Sequence, residues 1–353
     1  MDAGGRRRLS GRLEPRAPDQ RCSALRLGLA RGRLHAHRLG GCLQPQAHGA
    51  RCRAAGGTGR FRGIARPRAL RPYPRRRRGA RVNAGPPYAK PPQLIALDID
   101  GTLVDARLTL AGPDKAAIAA ARAAGSRVVL FTGRMFASSV RFAQELELEG
   151  PLVCYQGAAC YDVTTLACLW EEPVPAEQAR SVVEQMLADG FHAQAYFDDR
   201  LFVQSVNRWS RIYTDIAAVE PVLVPSLGEA ITRPSTKVVA VGDPARMGAY
   251  ARSLAERYPE LYITRSQPEF VEVLSPKANK GDALRRLVAE LRVDPVSTIA
   301  VGDSWNDVPL LGAAGFGVAM GSAPPELKAL AGAVVHPVSG HGVSQALREY
   351  AVP

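Results

Sequence analysis

The sequence predicts an α/β protein: a Rossmann-like, doubly wound parallel sheet core with an α+β cap domain inserted into it. Three observations carry this expectation. From Pro91 onward, short apolar runs alternate with stretches of helical period. The runs are continuous rather than alternating, as strands covered on both faces require. One segment, residues 174–267, breaks the rhythm with a hairpin pattern.

The runs are Leu94–Leu97, Val128–Phe131, Thr298–Val301 and Phe316–Met320. Between the first two, Pro113–Ala124 reads as an Ala-rich helix with Pro at its start and Gly125 just past its end, the usual asymmetry of helix termini. Residues 280–292 place apolar side chains at 284, 287, 288 and 291, one buried face of a helix. In the inserted segment, Phe191–Val203 reads as a hairpin turning at Asp198-Asp199, and Thr236–Val241 as a further strand. Val182–Ala188 and Arg246–Tyr258 read as helices, and Tyr196, Phe197 and Phe202 as cap core. The expected organisation is an arm (1–90), a core (91–173 and 268–353) and a cap (174–267).

The 353 residues are two compositions joined end to end. Residues 1–90 hold 22 Arg, one Lys and three acids, a net of +20; the other 263 residues carry −7, so the overall +13 belongs to the arm. A mildly acidic body is not built to grip nucleic acid through a basic face. The arm offers too little apolar surface to offset an ordering entropy of about 1–2 kcal/mol per residue, and it reads as disordered. Arg, Ala, Gly, Pro and Leu are also what GC-rich DNA encodes in almost any frame, so a start assigned too far upstream accounts for it. The Arg75–Arg78 run could contact phosphates, and a nucleic-acid-binding protein acting through the arm is the alternative from another class. No run approaches the roughly 18 apolar residues of a membrane span, and no secretory signal follows Arg6, Arg7 and Arg8. Six cysteines without a C-x-x-C pair argue for a reducing, cytoplasmic setting.

Each core strand ends in polar residues, where an open parallel sheet carries its site. The endings are Asp98-Ile-Asp100-Gly101-Thr102, Thr132-Gly133-Arg134 and Gly302-Asp303-Ser304-Trp305-Asn306-Asp307, with Lys280-Gly281 opening a helix. Four acids brought together repel unless a cation neutralises them. All-oxygen ligands with few positions committed suit Mg²⁺. A hydroxyl and an ammonium beside it suit a phosphoryl group, whose transfer depends on positioning and charge neutralisation. One carboxylate can attack phosphorus, and a second, two residues on, can act as acid and then as base. A calcium loop is excluded, because Thr102 stands where Asp or Asn is needed and Leu103 where Gly is needed.

D-x-D-G-T, T-G-R, a lone K-G and G-D-x-x-N-D, in this order, resemble the haloacid dehalogenase (HAD) superfamily of phosphatases. The place and size of the insertion are similar to its Cof-type sugar-phosphatase branch. The resemblance covers about residues 92–350, including Gln156-Gly157-Ala158 and Gly340-His341-Gly342-Val343. It implies Asp98 as nucleophile and Asp100 as acid/base, with Thr132, Gly133, Lys280 and Asn306 around the phosphoryl group. Asp98, Asp303, Asp307 and the backbone carbonyl of Asp100 would hold Mg²⁺. Gln156 stands where the family usually has Asn, and Trp305 where a small or acidic residue is common. Arg134, Gln156 and Gly157 are substrate-side candidates. The implied activity is Mg²⁺-dependent hydrolysis of small phosphorylated metabolites, sugar phosphates first, through an aspartyl-phosphate. A phosphosugar mutase or other phosphotransferase on the same core is the alternative. A lid that closes over the crevice leaves no room for a macromolecular substrate.

Overall fold

The computed structural model describes residues 90–352, so the disorder expected of the arm lies outside the described residues. Strand β1 (Leu94–Leu97) is fully buried and leads through helix α1 (Gly112–Ala123) to β2 (Arg127–Leu130). Pro113 opens α1, and Gly125, at φ +97°, turns the chain out of it in a conformation that disfavours any other residue. Helix α2 (Phe136–Glu145) follows. Then come β3 (Pro151–Cys154), β4 (Ala159–Asp162) and β5 (Cys168–Glu171), an antiparallel sheet that the sequence reading did not contain. A parallel bridge from Phe131 to Val153 ties it to the β2 edge.

The chain next builds α3 (Ala176–Ala188), β6 (His192–Phe197), β7 (Arg200–Val203), α4 (Arg208–Ala217), β8 (Val222–Leu223), α5 (Leu227–Ala230), β9 (Lys237–Val241), α6 (Pro244–Arg257), β10 (Tyr262–Thr264) and β11 (Phe270–Leu274). These strands form a separate six-stranded sheet in the order β10-β11-β9-β6-β7-β8. The hairpin turns at Asp198 and Asp199, both at positive φ. The expected cap limit of 267 falls short of this sheet: β11 pairs antiparallel with both β10 and β9. The chain then returns through α7 (Lys280–Glu290), β12 (Thr298–Gly302), α8 (Val308–Ala313), β13 (Phe316–Ala319), α9 (Pro325–Leu330), β14 (Ala333–Val334) and α10 (Gly342–Tyr350).

The main sheet has the order β14-β13-β12-β1-β2, all parallel. Alternate residues of β1 face different layers. Ile95 and Leu97 cluster with Ile118 of α1 and Leu347 of α10, whereas Leu94 and Ala96 cluster with Leu284 and Leu287 of α7. Each such Leu or Ile contributes about 1.5–3 kcal/mol by leaving water. This two-sided burial is why the strands read as unbroken apolar runs.

The cap sheet is also two-faced. Ala193, Ala195, Phe197, Val238, Ala240, Val271 and Val273 cluster with side chains of α3 and α6. Tyr196, Val239, Phe270 and Leu274 on the opposite face join the cluster that contains the core strands. The expected aromatic cluster of the cap is thereby divided, with Tyr196 facing the core and Phe197 and Phe202 in the cap's own interior.

Candidate active site

The connections leaving β1 and β12 diverge to opposite sides of the sheet, and such a switch point is where an open α/β sheet has its crevice. Asp98 directly follows β1, and Asp303 directly follows β12. A turn carries Asp307 back toward them. The Ser304 side chain and the Asp307 side chain form a reciprocal capping box, and Asp307 Oδ2 accepts from the Asp303 and Ser304 amides at 3.0 and 3.1 Å. Oxygen atoms of Asp98, Asp303 and Asp307 all lie within 4.8 Å of one another. Helix α7 begins at Asn279, which caps it by accepting from the Asp282 amide, and so presents Lys280 from the first turn. Lys280 Nζ donates to Asp98 Oδ1 at 2.5 Å and to Asp307 Oδ1 at 2.6 Å, fully buried.

Burial, and after it the Asp307 charge, pushes the Asp98 carboxyl well above the ordinary carboxylate range. The same causes raise Asp303 to about 7. Burial alone opposes charge on Lys280, but Asp307 and Asp98 outweigh it and hold the ammonium protonated. One lysine thus faces three crowded acids, which leaves negative charge uncompensated. A donor set of carboxylate oxygens with that excess fits a hard divalent cation.

Gly101, at φ +80°, brings the loop after β1 against Asp303: a Cβ there would lie 2.2 Å from Asp303 Oδ2. Thr102 Oγ1 donates to Asp303 Oδ1 at 3.2 Å. Thr132 is fully buried and its hydroxyl accepts from the Arg134 amide at 3.1 Å. Arg134 is 5% exposed, and its guanidinium forks onto Asp100. Nε donates to Oδ2 at 2.7 Å and Nη2 to Oδ1 at 2.6 Å, while Nη1 donates to the carbonyl of Ile216 in α4 at 2.8 Å. It is therefore a buried tie between a core loop and the cap, not a surface salt bridge.

Gln156 and its neighbour Tyr155 both hold positive φ, 60° and 51°, an unfavourable backbone that recurs at functional sites. This geometry aims the buried Gln156 amide two ways. Oε1 accepts from Asn306 Nδ2 at 3.0 Å, and Nε2 donates to Glu272 Oε1 of the cap at 3.1 Å. A Cβ on Gly133 would fall 2.2 Å from Gln156 Nε2, so a larger residue would displace the Gln156 amide from its two partners. Gly157 is not among the crevice side chains; it sits at φ +103° where a Cβ would meet the Asn279 carbonyl at 2.6 Å, so it allows the turn Tyr155–Gly157 and α7 to approach.

The sequence reading missed the cap's contribution. Lys237 on β9 and Glu272 on β11, each 2% exposed, pair at 3.0 Å, and Lys237 also donates to the Gly133 carbonyl at 2.7 Å. Ser266 donates to Glu272 as well. One signal was available: Phe270-Val-Glu-Val-Leu274 is a strand whose central charge is flanked by apolar residues on both sides, which marks a buried charge needing a partner. At the hairpin tip, Asp199 accepts from the Phe136 and Ala137 amides at 2.8 and 2.6 Å and from Tyr155 Oη at 2.7 Å. Helix α2 has no side-chain N-cap of its own, so the cap domain supplies one.

A doubly wound core with acids and a lysine at its switch point, roofed by an inserted α/β domain, defines a capped enzyme of Rossmann-like fold. The chain belongs to the haloacid dehalogenase-like hydrolase family, whose sequence pattern matches residues 95–347. It is 28% identical to the pyridoxal phosphate phosphatase YbhA of Escherichia coli over 69% of this chain and 93% of that one. It is also 28% identical to the 5-amino-6-(5-phospho-D-ribitylamino)uracil phosphatase YcsE of Bacillus subtilis, over 73% and 95%. Its fold matches the HAD subclass IIB sugar phosphatase BT4131 with a TM-score of 0.66 at 23% identity, covering 72% of this chain and 98% of that one. Among the described residues no helix is long and apolar enough to cross a membrane.

Proposed function

We propose that this chain is a Mg²⁺-dependent phosphatase that hydrolyses small phosphorylated metabolites through an aspartyl-phosphate. The observation that carries the reading is the buried cluster of Asp98, Asp303 and Asp307 around Lys280 at the switch point, beneath a cap that meets it. Asp98, Asp303, Asp307 and the Asp100 backbone carbonyl would hold the cation, which when bound supplies positive charge to the phosphoryl oxygens. Thr132, the Gly133 backbone, Lys280 and Asn306 orient the phosphoryl group.

In the first half-reaction an Asp98 carboxylate oxygen attacks phosphorus, the P–O ester bond breaks, and Asp100 gives its proton to the departing oxygen. In the second, Asp100 takes a proton from water as that water attacks phosphorus; the Asp98–phosphorus bond breaks and inorganic phosphate leaves. Arg134 holds the Asp100 carboxylate in place, and the Lys237–Glu272 pair closes the roof over the Gly133 loop. We take the cap as residues 174 to about 275, so that β11 stays with its sheet. The cytoplasmic setting rests on the sparse cysteine count.

The relatives' names span a pyridine, a ribitylaminouracil and a sugar as the phosphorylated group, which supports one reaction class with a variable leaving group. Incubation with a panel of phosphorylated metabolites, read by phosphate release, tests the reading. EDTA should abolish release and Mg²⁺ restore it. Full activity in EDTA would refute the metal assignment, and an isomeric phosphate formed without release would identify a mutase.

A further inference from the structure

The space next to the reacting carboxylates is divided into two parts. The inner part, about 40 Å³, lies between Asp98, Gly133 and Asn306 of the core and Lys237 and Glu272 of the cap. It has room for little beyond the phosphoryl group. The outer part, about 660 Å³, shares Asp100, Ile216, Ser266, Gln267 and Ser304 with the inner one, so the two meet beside the acid/base candidate. Its volume falls in the range of small-molecule sites, roughly 300–1,000 Å³. A phosphate ester held by the inner part would extend its alcohol into the outer part.

Trp305 lines this outer cavity and is 51% exposed, whereas most of the large aromatic side chains among the described residues are buried. Folding does not explain it. The turn that holds Asp307 is made by the Ser304 and Asp307 side chains, and the backbone at 305 is ordinary, so the turn makes no demand on the side chain there. The indole also lies outside every buried apolar cluster among the described residues. Across from it the cap contributes Arg265, whose guanidinium stands 5.9 Å from the ring centroid. Arg265 Nη2 donates to the Pro268 carbonyl, but its buried Nε has no hydrogen-bond partner. Leu108, Ile216 and Val338 add apolar wall, and Ser266 and Gln267 add hydrogen-bonding groups at the edge.

We propose that Trp305 is a specificity residue: its indole stacks on a planar heteroaromatic leaving group, so this phosphatase prefers heteroaromatic phosphomonoesters over sugar phosphates. An indole with a guanidinium over one face, its other face open to stacking, and hydrogen-bonding side chains at its rim matches a ring bearing heteroatoms. A sugar can lay only its C–H face on the indole, without the π–π contact and the ring heteroatoms of a heteroaromatic group, so it should gain less from the same wall. The inference rests on the phosphatase reading and narrows its substrate class.

The test compares pyridoxine 5′-phosphate with glucose 6-phosphate, both esters of a primary alcohol, so leaving-group basicity is closely matched. The native chain should favour the former in kcat/KM. Trp305→Ala should lower the ratio of the two kcat/KM values roughly tenfold, a typical effect of losing one aromatic stack. Trp305→Phe should retain most of the preference. A second measurement needs no turnover: with Mg²⁺ present, unphosphorylated pyridoxine should quench the indole emission of the native chain, and Trp305→Phe should lose that quenching while Trp170 and Trp209 still emit. An unchanged ratio in Trp305→Ala, or quenching undiminished in Trp305→Phe, overturns the proposal. If neither ester releases phosphate, the phosphatase reading falls, and the quenching experiment alone decides whether Trp305 binds the ring.

Discussion

Replacing Lys280 with Met removes the only ammonium in direct contact with Asp98 and Asp307 among the described residues. The two side chains are similar in length, so the packing cost should stay below about 1.5 kcal/mol. Removing one partner of a buried ion pair costs about 3–5 kcal/mol, and here two fully buried carboxylates lose the same partner. The expected loss in EDTA therefore lies toward the upper end of that range. A divalent cation acts in the opposite direction. The variant's cluster is one charge more negative, so it should bind Mg²⁺ more tightly, and a concentration 100 times Kd returns about 2.7 kcal/mol. Urea unfolding of the native chain and Lys280→Met, each in EDTA and in saturating Mg²⁺, separates these contributions. The variant should be several kcal/mol less stable in EDTA, and Mg²⁺ should stabilise it more than it stabilises the native chain. A loss below about 1.5 kcal/mol, equal with and without the cation, would show that Lys280 is not the counter-charge of the cluster and would refute the electrostatic reasoning.

Three further outcomes are expected. Asp98→Asn should eliminate turnover and any trapped phosphoenzyme, whereas Asp100→Asn should lose about 10²–10⁴-fold with an alkyl phosphate and less with an aryl phosphate in single-turnover phosphorylation; equal losses on both would remove Asp100 from the acid role. Gly101→Ala places a Cβ against Asp303 at a φ of +80°, so it should raise the Mg²⁺ concentration for half-maximal phosphate release about tenfold, at a stability cost of about 1–2 kcal/mol; an unaltered Mg²⁺ dependence would show that Asp303 has freedom to move. Burial lowers His192 to about 4 from its usual 6.5. The unfolded chain then binds the proton more readily, so the His192 contribution is complete above pH ~6.5 and is lost as pH falls toward 4, by at most ~3 kcal/mol. His192→Gln should flatten the decline of Tm over that window, and a slope identical to the native one would contradict it.

The core was readable because its physics is local. A strand covered on both faces has to be apolar throughout, and a carboxylate placed one residue past its end has to enter the crevice; Asp98 and Asp303 follow from those two facts. The cap side was not readable in the same way. Lys237 and Glu272 are 35 residues apart and meet only because β9 and β11 pair antiparallel, a register that no single stretch of sequence specifies. The same lack of a local mark hid the end of the cap, since Phe270–Leu274 is as buried and apolar at its ends as a core strand. The β3–β5 sheet was missed because β5 is largely exposed and so lacks the continuous apolar run that marks the core strands. Gly157 shows what a motif leaves unsaid: its close approach to the Asn279 carbonyl is a backbone fit between two distant segments, which no local pattern marks.

Asp199 has a consequence for the rhythm of turnover. Its carboxylate closes the first turn of α2 from across the domain boundary, and that turn begins two residues after Arg134. When the lid lifts, the amides of Phe136 and Ala137 lose their acceptor, and a missing helix cap costs about 0.5–2 kcal/mol. The loop of Thr132, Gly133 and Arg134 is then anchored on a fraying helix, and Lys237 no longer holds the Gly133 carbonyl. Cap closure and the order of the loop that holds the phosphoryl group are thus coupled through one carboxylate, and Asp199→Ala should loosen that loop without touching any group in the crevice.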